Sequence, residues 1–72
     1  MGYNVKIDTI EELQDFIQAA IKTEGEVSVK QCGYIVNGKS ILGILSLDLR
    51  EYVVVSVANN DYSQFKYFID KN

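Results

Sequence analysis

A chain of 72 residues with 47% hydrophobic and 24% charged side chains suits one compact domain around one core, and excludes both a second core and disorder throughout. The net charge is −3, and the basic residues are scattered from Lys6 to Lys71 with no clustered stripe, which argues against a nucleic-acid partner. The absence of histidine and the presence of one cysteine, Cys32, exclude an intrachain disulfide and remove the usual zinc ligand sets and the commonest general base, so no metal, cofactor or catalytic role is expected.

Tyr3 to Asp8 alternates apolar and polar residues and puts Tyr3, Val5 and Ile7 on one face, the pattern of a half-buried strand. Thr9 with Glu12 three residues later has the spacing of a capping box, in which the hydroxyl takes a first-turn N–H and the glutamate reaches back. Ile10, Leu13, Ile17, Ala20 and Ile21 then recur at helical spacing with Phe16 beside them, while Glu11, Gln14, Asp15, Gln18 and Lys22 form the wet side. Glu11 and Glu12 are adjacent, so on a helix they point different ways and cannot flank one bond as an acid–base pair. Gly25 is the expected helix stop.

Val27 and Val29 alternate with Ser28 and Lys30 in a second strand that runs into Cys32-Gly33, and Tyr34-Ile35-Val36 reads as a third, closing a hairpin around Gln31 to Tyr34. Asn37-Gly38 is also a strong hairpin dipeptide, but the segment after it has no strand alternation. Instead Ile41, Leu42 and Leu45 share one side of a short helix for which Ser40 is the N-cap. Asp48 to Glu51 is a polar connection, and Tyr52 to Val57 is a fourth strand with Val53, Val55 and Val57 facing inward. Asp61 and Gln64 repeat the capping spacing before Phe65, Phe68 and Ile69 on a final two-turn helix.

The order β-α-β-β-α-β-α predicts an α+β sandwich of two layers, a four-stranded antiparallel sheet covered on one face by three helices, as one domain over residues 1–72. The apolar runs are far shorter than the roughly twenty residues of a membrane span. Met1 to Asp8 lacks the apolar stretch of a signal peptide, so a soluble, cytoplasmic protein is expected.

This element order, with the run Asn37-Gly38-Lys39-Ser40-Ile41-Leu42-Gly43-Ile44-Leu45-Ser46-Leu47, resembles the HPr family, the histidine phosphocarriers of the bacterial sugar phosphotransferase system. In that family a Lys-Ser-Ile-Met-Gly segment, an apolar residue and then Met/Leu-Ser-Leu open the second helix; leucines replace the methionines here. The resemblance implies an HPr-like sandwich in which Ile41, Leu42 and Leu45 form a surface patch that docks partner proteins. It also matches Ser40 to a serine that a dedicated kinase phosphorylates in some members.

The same register puts Thr9 where the family carries its phosphorylated histidine and Glu11 where it carries a phosphoryl-holding arginine, so both functional residues are replaced. Asp8, Glu11 and Glu12 put negative charge where a helix start would otherwise attract an anion. The segment after Leu47 is also slightly shorter than the family pattern. The expectation is therefore an HPr-like protein without phosphocarrier activity: not an enzyme, but a binding or regulatory module whose partner is a phosphotransferase-system or regulatory protein. Two alternatives stand beside it: a phosphoryl acceptor modified at Ser40 or Thr9 by a kinase, and a structural subunit that self-associates through strand edges or apolar faces. The plainer readings are core packing for Ile41, Leu42 and Leu45, capping for Ser40 and Thr9, and a neutral turn position for Cys32.

Overall fold

A computed structural model describes residues 2–71, with Met1 and Asn72 outside the described residues. In chain order it contains β1 (Tyr3–Val5), α1 (Ile10–Lys22), β2 (Val27–Gln31), β3 (Tyr34–Asn37), α2 (Ile41–Leu45), β4 (Val53–Val57), and a 3-10 turn over Ser63–Phe65 that runs into α3 (Lys66–Asp70). The strands form one sheet in the order β1-β4-β2-β3, with every neighbouring pair antiparallel.

The register sorts the side chains. Tyr3, Val55, Val29 and Val36 stand opposite one another across the four strands, and the pairs Val5 with Val53 and Val27 with Val57 lie on the same face. On that face Val5, Val27, Val29, Val53, Val55 and Val57 are buried against Phe16, Ile44, Phe65 and Phe68 from the helical layer. The ring of Phe16 lies 5.2 Å from that of Phe65 and 5.5 Å from that of Phe68, so three aromatic side chains tie α1 to the C-terminal segment. Full burial of each such side chain stabilises the fold by roughly 1.5–3 kcal/mol. The opposite face carries the rows Asn4, Val54, Lys30, Ile35 and Ser56, Ser28, Asn37, in which no residue is fully buried.

Several local expectations need correction. β1 ends at Val5, although Ile7 is buried beyond it. Helix α1 buries Leu13, Phe16, Ile17, Ala19 and Ala20 but leaves Ile10 and Ile21 exposed. At 100° per residue Ile10 and Ile21 lie on the flank of the stripe centred on Leu13, Phe16 and Ala20, while Ala20 and Thr23 at the end of the helix remain buried. The helix stops at Thr23, not at Gly25: the Thr23 hydroxyl donates to the Ala19 carbonyl at 2.8 Å and its extended backbone leads the chain away.

The hairpin turn is Cys32-Gly33, with φ of 47° and 86°. Both values are positive, as a two-residue turn of the type that matches strand twist requires. Glycine adopts this conformation without strain, and Cys32 does so against its side chain. Asn37-Gly38 forms the exit from β3, where the Gly38 N–H donates to the Val27 carbonyl at 2.7 Å. Asp61 caps no α-helix: its carboxylate accepts the Ser63 N–H at 3.1 Å, and the chain enters a 3-10 turn first.

Candidate protein-binding site

Five residues make α2 little more than one turn, so its placement depends on a few contacts. Ser40 caps it, its hydroxyl accepting the Gly43 N–H at 3.2 Å, while the Ser46 hydroxyl donates to the Gly43 carbonyl at 2.6 Å. Gly43 allows the helix to approach β3 closely, because a Cβ there would stand only 3.3 Å from Cβ of Val36. Ile44, 0% exposed, is the side chain that anchors the helix in the core. The other three apolar side chains then have nowhere to go: Ile41 is 44%, Leu42 78% and Leu45 53% exposed. Core packing for the three is thereby excluded, and Ile44, absent from the predicted set, takes that role.

Leu45 lines an open groove of about 490 Å3 together with Asp8, Thr9, Ile10, Leu13 and Leu49, so the end of α2 and the start of α1 share one surface. Ile10, read from its spacing as a core residue, is 75% exposed beside this groove. Its angular position, on the flank of the stripe centred on Phe16 and Ala20, was the available signal. Apolar side chains gathered at one surface in this way mark an interaction site more often than scattered ones do.

The polar wall of the groove is the start of α1. Thr9 is the N-cap, its hydroxyl accepting the Glu12 N–H at 3.0 Å. Glu12 reaches back with Oε1 to the Asp8 N–H at 2.9 Å, one residue earlier than the capping-box pattern specifies. Glu12 Oε2 accepts the Tyr67 hydroxyl at 2.7 Å and the Lys71 ammonium at 2.8 Å. Asp8 accepts Lys6 at 2.8 Å and Lys71 at 3.1 Å.

The electrostatics follow from these contacts. The Lys71 ammonium, then the Tyr67 hydroxyl and the Asp8 N–H, lower the Glu12 carboxyl from 4.5 to about 2. Lys6 and Lys71 likewise hold Asp8 below the ordinary carboxylate range, and Glu12 raises the Tyr67 phenol. Burial works against the charge of Lys71, but its bonds to Glu12 and Asp8 outweigh that and raise its pKa.

These contacts change the electrostatics expected at Thr9. The expected array of uncompensated carboxylates is largely neutralised, with exposed Glu11 outside the network, and the Glu12 and Asp8 N–H groups are already occupied by side-chain oxygens. The sequence offered no local sign of Tyr67 and Lys71 here, because 55 to 63 residues separate them from their partners.

Cys32 is exposed at the hairpin tip, remote in sequence from the groove-lining residues. Among the described residues no group of three or more histidine, cysteine or acidic side chains converges to hold a metal ion, and no helix is long and apolar enough to cross a membrane. No family model, curated protein or solved structure matches the chain.

Proposed function

We propose that this protein is an HPr-like module without phosphocarrier activity, which presents the outer surface of α2 to a protein partner in sugar-transport regulation. The single observation that carries this reading is a contrast between neighbouring surfaces: Leu45 and Ile10 are uncovered at one groove, with Leu42 exposed on the same short helix as Leu45, while at the helix start beside the groove Thr9 and Glu12 are engaged by the protein's own groups. An acceptor site needs a nucleophile and room for an anion. At Thr9 the hydroxyl serves as a cap, and two nearby donors, the Asp8 and Glu12 N–H groups, are engaged by side-chain oxygens.

A docking surface needs uncovered apolar side chains on a rigid support. Ile44 and the Ser40 cap provide the support, and Leu42, Leu45 and Ile41 provide the contact. Covering one such side chain contributes roughly 1.5–3 kcal/mol, so a few of them suffice as anchors within an interface whose rim is polar. The partner that fits is a protein with an apolar depression.

The test is affinity capture from the native cell with the parent chain and with Leu42→Asp as baits. Proteins retained by the parent and lost from the variant support the proposal. Recovery of the same proteins by both baits puts the docking surface elsewhere.

A further inference from the structure

The sheet has two edges, β1 and β3, and they are finished differently. At β1 the ring of Tyr3 lies 4.7 Å from that of Tyr62, α3 packs against the strand, and Lys6 follows it at once. Such coverage and an adjacent lysine are common ways of preventing an edge from pairing with another chain. At β3 there is no charge and no proline from Gln31 to Gly38. Tyr34 is 73% and Ile35 64% exposed, which is unusual for consecutive apolar residues on a strand that borders solvent.

The hairpin determines which backbone groups point outward. A two-residue turn makes Gln31 and Tyr34 a hydrogen-bonded pair, and hydrogen bonding then alternates along the ladder. Tyr34 and Val36 therefore direct their N–H and C=O toward β2, whereas Ile35 directs both of its groups away from the sheet. Asn37 also faces outward, but its carbonyl accepts the Ser40 N–H at 3.0 Å. Ile35 is thus the point on this edge at which a full reciprocal pair of bonds can be added.

We propose that β3 pairs antiparallel with β3 of a second copy of this chain about a two-fold axis at Ile35, joining two four-stranded sheets into one. Two-fold pairing is the simplest closed arrangement of identical chains. In this register Ile35 exchanges both backbone bonds with Ile35 of the other copy on the open face, and Tyr34 of each copy faces Val36 of the other on the helix side. Each side chain meets an apolar neighbour.

Charge does not oppose a second copy at this edge, although each chain carries a net −3. The nearest cation on the open face is Lys30, directly across from Ile35, and the two Lys30 strands would lie three strand spacings apart, about 14 Å, beyond the Debye length at ordinary salt. The other flanking cation, Lys39, is turned inward, with its ammonium 3.0 Å from the Thr23 carbonyl. Four residues of strand edge cover less than the roughly 1,200 Å2 of a stable interface, so the dimer is weak and appears as concentration rises.

The experiment is sedimentation velocity from micromolar to millimolar concentration on the parent, Ile35→Lys and Leu42→Asp, with amide hydrogen exchange on the parent at both extremes. Expected are a parent that moves from monomer toward dimer, an Ile35→Lys variant that stays monomeric because like charges meet at the axis, and a Leu42→Asp variant that behaves as the parent. Exchange at Ile35 should slow by at least about tenfold at high concentration, a readout that does not depend on how the variants fold. A parent that stays monomeric, unchanged exchange at Ile35, or association lost in Leu42→Asp but kept in Ile35→Lys would overturn the proposal. The last of these results would assign self-association to α2 and leave the α2 docking proposal to its own test.

Discussion

The start of α1 and the end of α2 border the same groove and have opposite characters. At the first, Thr9, Asp8, Glu12, Tyr67 and Lys71 satisfy one another in a network that joins the N-terminal part of the chain to its last helix. At the second, a helix of five residues has one side chain in the core and three apolar side chains outside it. The difference shows how a small fold can close one site and open another with little material. A capping side chain takes up a donor of a helix start, here the Glu12 N–H, whereas a helix too short to bury its whole apolar set leaves the remainder exposed.

The largest effect is expected in the core beneath α2. Ile44→Ala removes the anchor of α2 and should cost about 2–5 kcal/mol of stability, measured as a fall in the denaturant midpoint. A cost within about 0.5 kcal/mol, the usual scale of a surface change, would mean that α2 is held by something other than Ile44.

The polar side of the contrast responds to acid. The folded carboxyl of Glu12 titrates at about 2 against an ordinary value of 4.5, so its contribution is complete above pH 4.5 and is lost as pH falls from there toward about 2. Glu12→Gln should make stability less dependent on pH across that window. An unchanged slope in urea titrations at several pH values would show that the bonds to Lys71 and Tyr67 are not made in solution.

A smaller and opposite effect is expected at the hairpin. Cys32 holds a positive φ of 47° that asparagine tolerates better. Cys32→Asn should raise stability by about 0.5–1 kcal/mol, visible as a higher melting temperature, and a loss instead would indicate that the thiol makes a stabilising contact. The smallest effect sharpens the apolar side: Leu42→Asp, at a position 78% exposed, should change stability by no more than about 0.5 kcal/mol. A larger loss would make Leu42 a structural residue and weaken its use as a binding probe.

The elements were legible because their signals are local. Alternation marked the valines of β2 and β4, the Thr9–Glu12 spacing marked the start of α1, and Ser40 marked the start of α2. Less legible was how much of each helix's apolar stripe the rest of the fold covers, which depends on packing against elements far apart in the chain. That is why Ile10 and Ile21 were expected inside and are exposed, and why Ile44 was overlooked beside Ile41, Leu42 and Leu45. The lysine and tyrosine that neutralise the start of α1 were illegible for the same reason, since Lys71 meets Glu12 only after the last helix has docked. Asp61 shows a further limit: the spacing to Gln64 was correct for a cap, but the backbone took an Asx turn to Ser63 instead.

The central claim is that the start of α1 accepts no phosphoryl group because its own side chains occupy it. Incubation of the protein with phosphoenolpyruvate and Enzyme I of the phosphotransferase system, followed by intact mass measurement under neutral and acidic conditions, tests this directly. An unchanged mass is expected, and the gain of one acid-labile phosphoryl group would contradict the claim.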